Sequence, residues 1–199
     1  MSENKKLILF DFDGTLTGKD SLLEFISFSK GKLQLYLGFL MNVFNLLKYF
    51  TGRLPNWAFK EKILSYFFKG DSIELFNKQA ERFALEIIPK ILRPQALTTI
   101  EKYKNNGDNR IIIVSASCSN WIKAWADMLG LELIATELEV KNNILTGKLG
   151  TRNCYGDEKV SRLKSYLDLS EFQTIIAYGD SHGDKEMLEI AHIKYFRSL

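Results

Sequence analysis

Three short apolar runs, each ending abruptly at a polar residue, constrain this chain more than any other feature. They are Leu7-Ile8-Leu9-Phe10 before Asp11, Ile111-Ile112-Ile113-Val114 before Ser115, and Thr174-Ile175-Ile176-Ala177-Tyr178 before Gly179-Asp180. Runs of about four to five residues without polar alternation read as strands buried on both faces, the signature of a parallel sheet covered by helices. Helical patterns alternate with them. One begins near Pro94, carries Leu97, Ile100 and Tyr103, and stops at Gly107; a second holds Trp121, Ile122, Trp125 and Met128. A third holds Val160, Leu163 and Leu167, and a fourth Met187, Leu188 and Ala191, before a last strand candidate at 193–196. The expected fold is α/β, a Rossmann-like, doubly wound and mostly parallel sheet. Ligands of such sheets bind at the carboxyl ends of the strands, so the three polar breaks converge on one crevice.

The stretch from Gly18 to Lys90 interrupts this alternation with aromatic-rich helical segments at 22–28, 33–50, 57–68 and 73–88. The expected organisation is a catalytic core from 1–17 and 91–199 with an all-helical cap inserted at 18–90. A small hairpin around Asn142-Asn143, spanning 139–147, reads as a peripheral addition. The segment from Phe25 to Lys60 contains no acid but carries Lys30, Lys32, Lys48, Arg53 and Lys60. Within it, 33–50 is almost wholly apolar, yet its polar interruptions argue against a membrane span, which needs about 20 apolar residues. Two readings stay open: a cap helix buried among its neighbours, or an interfacial helix that lets the site approach anionic lipid.

Composition narrows the function classes. Of 199 residues 46% are hydrophobic and 26% charged, and 27 basic against 24 acidic residues leave a net charge of +3, which excludes a disordered polyelectrolyte. The positive charge is scattered, without a basic stripe interleaved with aromatics, so nucleic acid is not an expected partner. Two cysteines, Cys118 and Cys154, are too few for a disulfide framework, and no charged-then-apolar leader precedes the first run. The expected compartment is the cytoplasm, with peripheral contact at the inner face of the membrane as the alternative that the cationic insert allows.

The chemistry gathers at the polar breaks. In Asp11-Phe12-Asp13-Gly14-Thr15, two carboxylates at i and i+2 of an extended segment point the same way. Like charges so placed need a cation. With Asp180 from another strand end they make an oxygen-only cluster suited to a hard divalent ion, Mg²⁺ above all. Ser115, just before the Trp121 helix, offers a hydroxyl and following N–H groups to phosphate oxygens, with Ser117 and Ser119 as the better helix caps. Lys159 opens the Val160 helix, where the helix dipole disfavours a cation, so it points to service for a ligand. In Gly179-Asp180-Ser181-His182-Gly183-Asp184, Asp180 reaches a metal, while Asp184 caps the helix, binds a metal-bound water or orients Lys159. His182 is set aside as a base because the carboxylates suffice.

Taken in order, Asp11-Phe12-Asp13-Gly14-Thr15, Ser115, Lys159 and Gly179-Asp180-Ser181-x-x-Asp184 resemble the four motifs of the haloacid dehalogenase superfamily. Arg93-Pro94 and Val114-Ser115-Ala116-Ser117 resemble its phosphoserine-phosphatase-like branch, subfamily IB. The insert, with Trp57 and Cys154 to Val160, is loosely similar to phosphatidylglycerophosphatase C, a lipid phosphatase of that branch. The resemblance implies a Mg²⁺-dependent phosphatase in which Asp11 is the nucleophile and forms an aspartyl-phosphate, and Asp13 is the acid and base. It implies Mg²⁺ on Asp11, the main-chain carbonyl of Asp13 and Asp180, with Asp184 behind them. It implies phosphoryl contacts from Ser115 and Lys159, assisted by main-chain N–H groups near Phe12, Gly14 and Ala116. Asp20 stands near the place where phosphoserine phosphatases bind the substrate ammonium, with a shorter side chain, and Ser115-Ala116-Ser117 replaces their usual Ser-Gly-Gly. The implied partner is a phosphorylated small molecule or a phospholipid headgroup. A receiver-like phospho-acceptor is the non-enzymatic alternative, against which Asp13 and the insert both argue.

Overall fold

The computed structural model describes residues 5–199. The expected start of the core at residue 1, and the leader reading, concern residues outside that range. Five parallel strands form the sheet in the order β3-β2-β1-β6-β7, with β1 at Lys6–Phe10, β2 at Asn109–Cys118, β3 at Glu132–Thr136, β6 at Thr174–Gly179 and β7 at Ile193–Phe196. β1 is central, with Ile8 in register between Ile111 and Ile176.

The unbroken apolar runs are explained by two hydrophobic layers. Ile8, Phe10, Ile111, Ile113, Ile176 and Tyr178 face the layer holding Ile100 of α7 (Ala96–Asn105) and Trp125 of α8 (Lys123–Met128). Their neighbours Leu7, Leu9, Ile112, Val114, Ile175 and Ala177 face Leu163 of α9 (Asp157–Tyr166) and Met187 of α10 (Lys185–Glu189). Successive strand residues point to opposite faces, and here both faces are dry.

Two local expectations are corrected. β2 does not end before Ser115; it runs on to Cys118, with a register shift against β3 between Ser115 and Cys118. Ser115 and Ser117 are buried in the polar site while the ladder to β3 continues at Ser115 and resumes at Cys118, so polarity marks the site and not the strand end. The following segment is a short 3₁₀ turn at Ser119–Trp121 before α8, and neither Ser117 nor Ser119 caps it.

Helices α1 (Ser21–Lys30), α2 (Lys32–Met41), α3 (Val43–Phe50), α4 (Asn56–Phe68), α5 (Ile73–Glu86) and the short α6 (Ile88–Ile91) lie between β1 and β2. The chain leaves and returns side by side: Gly18 N–H donates to Ile91 O at 2.7 Å and Arg93 N–H to Leu16 O at 2.8 Å. Phe25 is the hub of this layer, stacked on Phe68 and on Trp121 and met edge-on by Phe76 and Phe83. Trp121 thereby ties the helices to the core.

The hairpin is β4 (Leu138–Lys141) and β5 (Ile144–Leu149), turned by Asn142 and Asn143 at φ 53° and 62° as a primed turn requires. It is not peripheral. Its backbone accepts from Gly70 N–H at Leu145 O (2.9 Å), from Ile73 N–H at Asn143 O (3.0 Å) and from the Ser65 hydroxyl at Gly147 O (3.0 Å). A two-stranded ribbon leaves unpaired edge groups, and the α4–α5 turn satisfies them.

α2 and α3 run on as one rod, since Asn42 N–H reaches Gly38 O at 3.1 Å and Asn42 O accepts from Leu46 N–H at 2.9 Å. The buried-helix reading of 33–50 holds for one side only, where Gly38 lies so close to Phe67 that a Cβ would sit 2.1 Å from its ring. The other side is exposed. Among the described residues no helix is long and apolar enough to cross a membrane.

Candidate active site

Asp11 follows β1 directly at the carboxyl edge of the sheet. Lys159, only 1% exposed, donates all three ammonium protons: to Asp11 Oδ1 at 2.6 Å, to Val114 O at 2.7 Å and to Asp184 Oδ1 at 2.7 Å. Burial works against its charge, but the flanking carboxylates outweigh that and its pKa is raised. Its position on the first turn of α9, awkward for a cation, follows from this service to Asp11 and Asp184. The Thr15 hydroxyl sits between Asp11 Oδ2 at 3.1 Å and Asp180 Oδ1 at 3.3 Å.

Asp11, Asp180 and Asp184 offer carboxylate oxygens that all lie within 4.8 Å of one another. Burial pushes Asp11 up to about 6 even against the pull of Lys159. Burial and the charge of Asp184 raise Asp180 as well. Burial also opposes the charge of Asp184, but Lys159 and the Ser181 donors overcome it and its pKa is lowered. Two reluctant carboxylates beside a third that is fully committed form a site with surplus negative charge, the donor set that a hard divalent cation takes. Gly14 makes room for it: at φ +84° it carries no Cβ, and one placed there would lie 2.3 Å from Asp180 Oδ2. Arg93 Nε fixes the same turn by donating to Gly14 O at 2.8 Å.

Asp13 is held separately. Its Oδ1 accepts from Ser21 N–H at 2.6 Å and its Oδ2 from the Ser117 hydroxyl. Behind Ser117, the Ser21 hydroxyl donates to Ser117 Oγ at 3.1 Å and Trp121 Nε1 donates to Ser21 Oγ at 3.0 Å, so a chain of donors points at Asp13. Removal from water, then the nearby charge of Asp20, raises Asp13 to about 7 against these hydrogen bonds. A carboxyl so poised both gives and takes a proton near neutrality.

A cavity of about 280 Å³ opens over these groups, lined by Asp11, Asp13, Ser115, Ala116, Lys159 and Asp184 from the core, and by Asp20, Tyr49, Asn56 and Lys60 from the helical insert. Asn56 and Tyr155 are shared with a second cavity of about 550 Å³. Ser115 lies at the cavity floor, its Oγ accepting from Ser117 N–H at 3.0 Å. Ala116 O accepts from Lys60 Nζ at 2.7 Å. The Phe12 side chain points away, packed edge-on against Trp125. Asp20 is committed locally as the N-cap of α1, accepting from Leu23 N–H at 3.0 Å.

Sequence reasoning misses four contributors. Ser117 is the donor to Asp13 and not a cap; Tyr49, Asn56 and Lys60 reach the cavity only through the placement of α3 and α4. Lys60 alone leaves a trace, as a cation in an acid-free stretch. His182 is exposed on a short turn and lines neither cavity.

Residues 8–189 match the family described as haloacid dehalogenase-like hydrolase. The chain belongs to that family. This hydrolase is 33% identical over 199 residues to Protein CicA of Caulobacter vibrioides, covering 99% of this chain and 88% of that protein. Its fold is similar to that of a protein of unknown function from Bordetella pertussis Tohama I, with TM-score 0.79 and 24% identity over 96% of this chain and 89% of the other. It is also similar to a phospho-aspartyl intermediate analogue of phosphoserine phosphatase, with TM-score 0.63 and 26% identity over 96% and 86% of the two chains.

Proposed function

We propose that this hydrolase is a Mg²⁺-dependent phosphomonoesterase that passes a phosphoryl group through Asp11, with residues 18–90 acting as its cap. The observation that carries the reading is the division of labour between two carboxyls. Asp11 is oriented by Lys159 and Thr15 beside the acidic cluster, whereas Asp13 is held apart and pushed up to about 7. The likeness to the phospho-aspartyl intermediate analogue of phosphoserine phosphatase supports the same chemistry.

Asp11, Asp180 and the Asp13 main-chain carbonyl would hold Mg²⁺, which supplies the charge that lets a carboxylate meet a phosphate dianion. Asp184 stays behind them, holding Lys159 and the Asp180 N–H. An Asp11 oxygen attacks phosphorus in line, the Oδ–P bond forms as the ester P–O bond breaks, and Asp13 gives its proton to the departing alkoxide. Asp13, now a carboxylate, takes a proton from the water that attacks the acyl phosphate; inorganic phosphate leaves and Asp11 is regenerated. Lys159, exchanging its hydrogen bond to Asp11 Oδ1 for a phosphoryl oxygen, and the buried Ser115 hydroxyl would hold the phosphoryl group. Tyr49, Asn56 and Lys60 line the insert's side of the cavity, where they would shield the first step from bulk water.

The leaving group follows from the insert's side of the cavity. Asp20 is the one acid there, and it is spent on the α1 N-terminus, while Lys60 brings a cation. An amino-bearing leaving group such as serine therefore has a weak counter-charge, and a neutral alcohol fits better. The adjoining 550 Å³ cavity gives it room, and with Glu61, Asp157 and Glu158 outnumbering Arg152 in its lining it disfavours a further negative charge there. A receiver-like role is disfavoured by Asp13, which promotes loss of the phosphoryl group.

Phosphate release should be measured from p-nitrophenyl phosphate and a panel including phosphoserine, sugar phosphates and a phosphatidylglycerophosphate, with Mg²⁺ and with EDTA. Wild-type rates matching Asp11→Asn on every compound refute the proposal.

A further inference from the structure

We propose that the outward face of α2 and α3 is a docking surface for an anionic lipid bilayer. The rod from Lys32 to Phe50 is about 27 Å long at 1.5 Å per residue. Its inner stripe, with Gly38, Asn42 and Tyr49, is turned toward the protein. The opposite stripe recurs at i, i+3, i+4 and i+7: Leu33, Tyr36, Leu37, Leu40, Phe44 and Leu47, exposed by 70, 70, 41, 65, 76 and 55%. A helix that is apolar all round is ordinarily buried, and monomeric proteins rarely expose so continuous an apolar face without a partner.

Charge selects the partner. No acidic residue occurs between Phe25 and Lys60, and Lys30 is engaged by Asp71 at 2.7 Å. Lys32, Lys48 and Arg53 have no carboxylate within ion-pair distance among the described residues, so the rim of the apolar face is cationic. An apolar stripe with a basic rim is the pattern of a helix lying in the headgroup region of an anionic bilayer. A two-fold pairing of this face with a second copy would set the same cationic rim against itself. The surface also adjoins the cavity: Tyr49, on the inner side of α3, lines it, so the lipid lies about one helix diameter, roughly 10–12 Å, from the cavity wall.

Flotation of the full chain with vesicles of phosphatidylcholine alone, and of phosphatidylcholine mixed with phosphatidylglycerol, tests this independently of catalysis, because Asp11→Asn should bind as wild type does. Three basic residues at the surface give at least a tenfold preference for the anionic vesicles, lost in high salt. Leu40→Glu with Phe44→Glu should abolish binding, whereas Met128→Glu, on exposed α8 surface, should leave it unchanged. Lys48→Glu, a milder change, should weaken binding at least fivefold, and it carries the test if the double variant does not fold. Equal binding to neutral vesicles, full binding by the folded double variant or by Lys48→Glu, or a concentration-dependent dimer that the double variant dissolves, overturns the proposal.

Discussion

Lys159→Met isolates the electrostatic centre of the site. Methionine keeps the length and most of the volume of the lysine stem but removes the cation between two buried carboxylates, Asp11 and Asp184, and all three hydrogen bonds at 2.6–2.7 Å. Breaking a buried pair on one side costs about 3–5 kcal/mol, because the remaining charge stays desolvated. For a chain of this size each kcal/mol is about 2–4 °C of melting temperature, so metal-free Lys159→Met should melt about 6–20 °C below wild type at pH 8. The defect should shrink at pH 5. Asp11, already pushed up to about 6 with lysine present, rises further without it and sheds its charge by taking a proton. Adding Asp184→Asn removes one of the two facing charges and should restore part of the loss, a non-additivity that a double-mutant cycle reads directly. Mg²⁺ should stabilise the variant more than wild type, since it replaces a missing positive charge. The assay is thermal unfolding of the four proteins at pH 5 and pH 8, with EDTA and with Mg²⁺. A Lys159→Met protein as stable as wild type at pH 8 in EDTA, with no greater gain from Mg²⁺, refutes the reasoning.

The metal-free wild type should itself lose stability with rising pH. Asp11 and Asp13 have folded-state values of about 6 and about 7, above their unfolded values, so their contribution is complete below about pH 4 and is lost as pH rises through 6 to 7; a melting temperature in EDTA that rises from pH 5 to pH 8 contradicts this. Gly14→Ala places a methyl 2.3 Å from Asp180 Oδ2 at φ +84° and should weaken Mg²⁺ binding at least about tenfold by calorimetric titration, besides costing about 1–2 kcal/mol of stability. Ser117→Ala removes the hydroxyl donor to Asp13 and should lower kcat about tenfold for an alkyl phosphate, but much less for p-nitrophenyl phosphate, whose leaving group needs little acid; equal losses would place Ser117 elsewhere in the mechanism. Cys118, buried and pushed up to about 12, and Cys154, also buried and raised, should resist a thiol reagent in the folded protein and react on unfolding.

What can be read from the sequence divides along a physical line. β1, β2 and β6 are legible because burial on both faces forces continuous apolar runs, and Asp11 and Asp180 because like charges at two strand ends gather in one cluster; the pattern does not show that Asp184, and not the Asp13 carboxyl, is the third member. Lys159 is legible as an anomaly, a cation where the helix dipole disfavours one, and its burial between two carboxylates resolves it. Ser117 is not, since its contact with Asp13 depends on the register shift after Ser115, and a bulge leaves no compositional mark. The hairpin's role is hidden for a related reason: it acts through backbone groups, which every residue carries. The helix at 33–50 shows where pattern alone stops. Apolar residues on every side say that both faces avoid water, but not whether protein or something else covers them. Gly38 pressed against Phe67 answers for the inner face, and the exposure of Leu33 and Phe44 shows that the outer face is covered by nothing among the described residues of this chain. A hydrophobic pattern measures the need for burial, and only the packed structure shows which part of that need the fold itself meets.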